Sequence, residues 1–187
     1  MITIFLARHA TPDWSRKDLP YHTPPGPQLT AQGIAEAEVL GEFMHQANVR
    51  QLYVSPLARC LHTAGIIAGL TGAPRIIFPE LIEVQPGETS ATLRTRLWPV
   101  FERACQSAAE RGPAALITHG GPIATLLSLM GLDQATLQNH QVYDNHNLLP
   151  PGGAWQASQA ASGYPWELDL VFPPSIDSNE FSRIYNK

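Results

Sequence analysis

Hydrophobic and polar positions change period in blocks along the first two thirds of the chain. Residues 2–6 form a short, mostly apolar run with β-branched members and read as a buried strand. Residues 10–28 are rich in Pro, Asp, Ser and Gly and read as a long loop. Thr30 stands where a helix cap is needed, and Ile34, Ala37, Leu40, Phe43 and Met44 follow at helical spacing. Residues 51–54 predict a second strand. Ser55-Pro56 then reads as a helix start, with Ser as cap and Pro at the first helical position. That helix is expected to reach about Leu70, with Leu61, Ala64, Ile67 and Ala68 on one side. Residues 75–78 predict a third strand. Residues 90–111 predict a helix with Leu93, Leu97, Val100, Phe101 and Ala104 inward, which Pro99 is expected to kink or interrupt. Residues 114–118 predict a fourth strand, and His119-Gly120-Gly121-Pro122 opens a helix ending near Gly131.

After Gly131 the pattern weakens. Pro150-Pro151-Gly152-Gly153 reads as a turn, residues 166–172 alternate loosely as a late strand does, and residues 175–187 are expected to be a loose tail. No repeat is present. Strands alternating with helices predict one three-layer α/β/α domain over residues 1–187, with a mainly parallel sheet and helices on both faces. Ligands in such sheets bind beyond the carboxyl ends of the strands.

Composition narrows the function classes. With 44% hydrophobic and 15% charged residues, the chain is globular rather than disordered. A net charge of -4 without a basic run argues against general binding to nucleic acid or to a membrane surface. Cys60 and Cys105 both fall in predicted helices without close spacing, so no disulfide framework is implied. The apolar start soon meets Arg8 and His9, too early for a signal peptide or a membrane span, so a soluble cytoplasmic protein is expected.

The strand-end rule selects a small set of reactive side chains. Arg8-His9 follows the first strand, Arg59 lies just after the second, Glu83 after the third and His119 after the fourth. Each alone is ordinary: an Arg-His pair is commonly a surface feature, and a His-Gly-Gly sequence is commonly just a tight turn. Their convergence on one sheet edge points to a phosphoryl group. Arginine forks match phosphate oxygens, and helix starts add partial positive charge. A neutral imidazole can attack phosphorus near neutral pH, and a protonated carboxyl can donate to the departing oxygen.

These residues resemble the histidine phosphatase superfamily, the phosphoglycerate-mutase-like fold whose signature begins Arg-His-Gly. That start is Arg8-His9-Ala10-Thr11 here. The family's Leu-Thr-x-x-Gly helix start is Leu29-Thr30-Ala31-Gln32-Gly33. Its Ser-Pro-Leu-x-Arg-x-x-x-Thr-Ala is Ser55-Pro56-Leu57-Ala58-Arg59 with Thr63-Ala64. Its Leu-x-Glu is Leu81-Ile82-Glu83, and its Thr-His-Gly-Gly is Thr118-His119-Gly120-Gly121. The ordered match spans residues 2–132. The resemblance implies His9 as nucleophile, Arg8, Arg59 and His119 as the phosphoryl-binding residues, Glu83 as acid and base, and no metal or organic cofactor.

Three departures bear on that expectation. Ala10 replaces the usual Gly, which a negative φ tolerates. The segment after Glu83 is short, since Pro86-Gly87-Glu88-Thr89 arrives almost at once, and Glu80 and Glu88 are nearby rivals for the acid. Pro99 interrupts the helix that follows. A short segment leaves little chain to keep water off a phosphorylated His9, so hydrolysis is expected over transfer. Folding of residues 10–28, with Trp14 and Tyr21, over the pocket is the opposing possibility.

The leading expectation is therefore a phosphatase acting on a small phosphorylated substrate through a phosphohistidine. The alternatives are a phosphohistidine protein phosphatase acting on a phosphoprotein, a phosphoglycerate-type mutase, and a non-catalytic phospho-ligand sensor. A sensor has no need of a nucleophile. Other polar residues read more plainly. His62 shares a face with Arg59 and is expected to be structural, while Trp14 and His22 are either substrate contacts or surface loop. His140, Asp144 and His146 give a weak metal signal, and Trp155 and Trp166 are expected to pack.

Overall fold

The computed structural model describes residues 1–143, 147–161 and 163–172. Its elements run β1 (Ile2–Arg8), α1 (Ala31–Gln46), β2 (Gln51–Val54), α2 (Ala58–Thr71), β3 (Arg75–Ile77), α3 (Ser90–Arg111), β4 (Ala114–Thr118), α4 (Gly120–Leu129), α5 (Gln134–His140), β5 (Ala154–Gln159) and β6 (Glu167–Phe172). One six-stranded sheet has the order β3-β2-β4-β1-β5-β6. β3, β2, β4 and β1 are mutually parallel, whereas β5 runs antiparallel to β1 and β6 antiparallel to β5.

Alternation along the strands builds the three layers. Ile4 and Leu6 of β1, Tyr53 of β2 and Leu116 of β4 pack with Leu97, Phe101 and Ala104 of α3 and with Ile123 and Leu127 of α4. Their neighbours Phe5, Ala7, Leu52, Val54, Ala115 and Ile117 face the other way, onto Leu40 and Met44 of α1 and Ala64 and Ile67 of α2. Strand side chains point alternately to opposite faces, so apolar residues at consecutive positions require a covered sheet on both sides. Leu97 is wholly buried, and truncation to Ala there is worth about 2–5 kcal/mol by the usual cavity arithmetic.

Several sequence expectations need correction. α2 begins at Ala58 with Leu57 as its cap and no side-chain cap bond, so Ser55-Pro56 is not the helix start. The Pro25 carbonyl accepts from the Ala58 amide at 2.7 Å instead, and the Ser55 hydroxyl is committed elsewhere. α3 is assigned unbroken through Pro99. Pro99 and Thr95 are both exposed, so the Thr95 carbonyl that loses its helical donor faces water. α5 and β5 had no distinct signal in the sequence. Residues 175–187 lie outside the described residues, as do Asp144 and His146.

Other expectations match the structure. The Thr30 hydroxyl accepts from the Gly33 amide at 3.0 Å and caps α1. Cys60 and Cys105 are both free. Among the described residues, no helix is long and apolar enough to cross a membrane.

Candidate active site

Sheet register fixes the centre of the site. Arg8 pairs with Thr118 across β1 and β4, and the His9 amide donates to the Thr118 carbonyl at 3.0 Å. His9 and His119 therefore leave the sheet at one level, and their rings lie 5.1 Å apart in an edge-on arrangement. The Ser55 amide donates to the Ile117 carbonyl at 3.0 Å, which carries the chain after β2 to the same edge. Arg59, in the first turn of α2, then projects between the strand ends. All four of Arg8, His9, Arg59 and His119 are nearly shielded from solvent, at 2%, 1%, 0% and 0% exposure.

Hydrogen bonds assign the protons. His9 Nδ1 lies 2.8 Å from the Ala10 carbonyl oxygen, which can only accept. Nδ1 therefore carries the proton, and Nε2 keeps its lone pair. Burial, then the positive charges of Arg59 and Arg8, hold the His9 pKa well below the ordinary imidazole value. The ring is thus neutral and able to act as a nucleophile at neutral pH. Ala10 does not adopt a positive φ, so its methyl group is accommodated.

His119 is enclosed differently. Its Nδ1 lies 3.3 Å from Arg59 NH2, which can only donate, so the nitrogen accepts. Its Nε2 is 2.8 Å from the Ser55 hydroxyl, to which it donates in this tautomer. The ring also touches Cys60, whose sulfur is 3.5 Å from Nε2. A hydroxyl can donate as readily as it accepts. An anion that draws Arg59 away would let His119 shift its proton to Nδ1, with Ser55 donating back to Nε2. Burial leads the causes that hold the His119 pKa well below its usual value, followed by His9, Arg59 and Arg8. Cys60 is buried as a thiol, its pKa pushed up to about 12 chiefly by desolvation.

Among the described residues, Arg59 lacks a carboxylate partner. Neither ion pair among the described residues includes it. Its NH1 donates to the Tyr21 carbonyl at 3.0 Å, its plane lies 4.0 Å from the centre of the Tyr21 ring, and its buried Nε has no hydrogen-bond partner. A wholly buried guanidinium in this state has a charge and a donor left to offer to an anion. Arg8 donates from NH1 to the Leu149 carbonyl at 2.8 Å.

Of the three carboxylates weighed from sequence, Glu83 is the one that lies beside the site arginines. It is partly buried, and desolvation, the largest of several influences, raises its pKa above the usual glutamate value. Its Oε1 accepts from the Val84 amide at 2.8 Å. Glu80 is exposed. Glu88 is engaged by Arg96 at 2.6 and 2.8 Å, which holds its carboxylate below the usual range.

Close approaches explain two motif glycines. A Cβ on Gly33 would sit 2.1 Å from the Thr11 carbonyl oxygen, where the first loop crosses α1. A Cβ on Gly121 would sit 2.4 Å from Val84 Cγ2 and 2.8 Å from Glu83 Oε1, so glycine lets the acid segment lie on the start of α4.

The first loop does fold towards the pocket. Trp14 stacks on Tyr21 at 5.0 Å, Tyr21 lies on Arg59, and Gln85 Nε2 ties the loop to the acid segment through the carbonyls of His22 and Glu83. This arrangement answers the expectation that little chain covers the site. His62 is half-buried on α2, its Nδ1 without a hydrogen-bond partner. Trp155 and Trp166 pack in the core around α3. Among the described residues, no group of His, Cys, Asp and Glu is arranged to hold a metal ion. Ser55 is the site neighbour that sequence reasoning misplaced, having read it as a cap, whereas Tyr21 lies in the loop that the opposing possibility folded over the pocket.

The chain matches the histidine phosphatase superfamily (branch 1) over residues 4–88 and 83–149. It belongs to that superfamily. Phosphatase chemistry comes with the membership. Solved structures of the same fold include a mycobacterial glucosyl-3-phosphoglycerate phosphatase at 21% identity and TM-score 0.71, covering 91% of this chain and 98% of that one. A phosphoserine phosphatase from Entamoeba histolytica, solved with 3-phosphoglyceric acid, is 19% identical with TM-score 0.68, covering 90% and 95%. A phosphoglycerate mutase from Bacillus anthracis is 13% identical with TM-score 0.71, covering 91% and 92%. No curated protein sequence matches the chain.

Proposed function

We propose that this histidine phosphatase hydrolyses small phosphorylated metabolites, with His9 as nucleophile and Glu83 as the proton donor. The observation that carries the reading is the buried Arg59, which among the described residues has no carboxylate partner and an unpartnered Nε, beside the neutral His9. His9 Nε2 attacks phosphorus and the ester P–O bond breaks. The departing oxygen takes the proton from Glu83, while Arg8, Arg59 and His119 hold the phosphoryl oxygens. Water then attacks phosphorus, gives its proton to the Glu83 carboxylate, and the P–N bond breaks to release phosphate.

Shielding of the four site residues favours a small substrate over a phosphorylated side chain on a folded protein. Phosphoserine and glucosyl-3-phosphoglycerate, named for two of the structural neighbours, belong in the first panel. The test supplies that panel, 4-nitrophenyl phosphate and a phosphohistidine-bearing protein, and measures released phosphate. Hydrolysis of small esters is expected. Preferential turnover of the protein would replace the substrate class. Isomerisation of 3-phosphoglycerate with a bisphosphate primer, ahead of hydrolysis, would replace phosphatase with mutase.

A further inference from the structure

The segment carrying Glu83 has no regular structure after the single turn at Pro79–Leu81, so something else must hold its backbone. Arg96, one turn and a half into α3, reaches it. Its NH1 donates to the carbonyls of Glu80 and of Ile82, the latter at 2.9 Å. Its NH2 donates to the Glu83 carbonyl at 3.2 Å. The Nε and NH2 edge grips both oxygens of Glu88 at 2.6 and 2.8 Å, and the second oxygen also accepts from the Gln85 amide at 3.0 Å. Every nitrogen of one guanidinium is thus spent on residues 80–88.

We infer that Arg96 is a positioning residue for the general acid: it sets where the Glu83 carboxyl stands relative to the leaving oxygen. The hydrogen bonds of Arg96 all go to residues 80–88, and on the pocket itself its charge is only the last of the influences that lower the His119 pKa. Arg96 acts through the main chain on either side of Glu83. The opposite face of that segment is fixed by Val84 against Gly121 and by the Thr118 hydroxyl, which donates to the Leu81 carbonyl at 2.6 Å. Without the α3 anchor, the acid would hang from one side only. A lysine cannot substitute, because a single ammonium cannot bridge three carbonyls and a carboxylate in fixed directions.

This inference rests on Glu83 being the proton donor, and the experiment separates the two ideas. Turnover of an alkyl phosphate, whose leaving oxygen needs a proton, is compared with turnover of 4-nitrophenyl phosphate, whose leaving oxygen does not. Four proteins are measured: wild type, Glu83→Gln, Arg96→Ala and Arg96→Lys. Glu83→Gln is expected to lose about a hundredfold on the alkyl ester and only a few-fold on the aryl ester. Arg96→Lys is expected to show the same selective pattern at about tenfold, and Arg96→Ala a larger one. Melting temperatures and phosphate inhibition accompany each variant, so general damage is recognised as equal loss on both esters. Selective loss in Glu83→Gln with equal loss on both esters in Arg96→Lys would overturn the inference. An unselective Glu83→Gln would overturn the assignment of the acid beneath it.

Discussion

His9 Nδ1 and the carbonyl of Ala10 lie 2.8 Å apart, and this bond decides which nitrogen of the ring can react. With Nδ1 protonated, Nε2 is the nitrogen left to attack phosphorus in the proposed mechanism. His9→Ala is expected to lose at least about a thousandfold in turnover while staying folded, as removal of a nucleophile does. Wild type quenched during turnover should carry phosphate that is released by acid and retained in base. Retention of substantial activity in the variant would refute the assignment.

Ser55 meets His119 Nε2 with a hydroxyl that can either accept or donate. Ser55→Ala leaves Nε2 without its 2.8 Å partner. Turnover is expected to fall about tenfold, the worth of one buried hydrogen bond, and phosphate inhibition to weaken with it. A helix cap would behave differently, lowering the melting temperature without touching phosphate affinity. Circular dichroism melts beside inhibition constants distinguish the two.

Tyr21 covers Arg59 at 4.0 Å through its ring and holds NH1 through its carbonyl. Tyr21→Leu removes the ring contact, and KM for small phosphate esters is expected to rise several-fold, in line with a partly buried cation–π contact. Tyr21→Phe keeps the ring and is expected to recover most of the loss. If Phe performs as poorly as Leu, the hydroxyl rather than the ring is what substrates require.

Stability should depend on pH through the two histidines. Unfolded histidine binds a proton as pH falls through about 6.5. Folded His9 and His119 resist, because burial leads the causes that depress both pKa values. Below that pH the unfolded state holds more protons, so each histidine removes about 1.4 kcal/mol of stability per pH unit until its folded pKa is reached. Glu83 has the opposite sign: its folded pKa is raised, so its contribution is present at low pH and fades as pH rises through that value. Just below pH 6.5 the histidines dominate. Urea midpoints should fall from pH 7.5 to 6.0 in wild type and fall less steeply in His119→Gln; equal slopes would show that His119 is not held neutral.

The parallel half of the fold was legible because its strands and helices carry their own periods: ITIFL, the Leu40–Phe43–Met44 stripe and the Leu93–Leu97–Phe101 stripe each state which face is buried. β5 was not, because AWQASQ has no period-two alternation of apolar and polar residues and becomes a strand only by pairing with β1, far away in sequence. α5 is seven residues long and buries a single apolar side chain, Leu137, which leaves no period to read. In the site, Arg8, His9, Arg59, Glu83 and His119 were legible because strand ends place them. Ser55 was misread because Ser-Pro is also a cap signal, and only the path of β4 reveals that its oxygen meets a histidine. Tyr21 and Arg96 depend on how irregular chain lies on the core, which no local pattern encodes.

The rung that pairs Arg8 with Thr118 bears on how such a protein changes over generations. His9 and His119 leave the sheet one residue past it, so their 5.1 Å ring separation inherits the interstrand spacing of about 4.8 Å rather than the length of any connection. Mutations that lengthen, shorten or rewrite residues 12–28 leave this spacing alone. Substrate preference is therefore free to drift without altering the spacing of His9 and His119. A chimaera that receives this loop from a relative should keep its phosphohistidine and acquire the donor's choice of ester, provided the incoming loop supplies a partner for the face of Arg59.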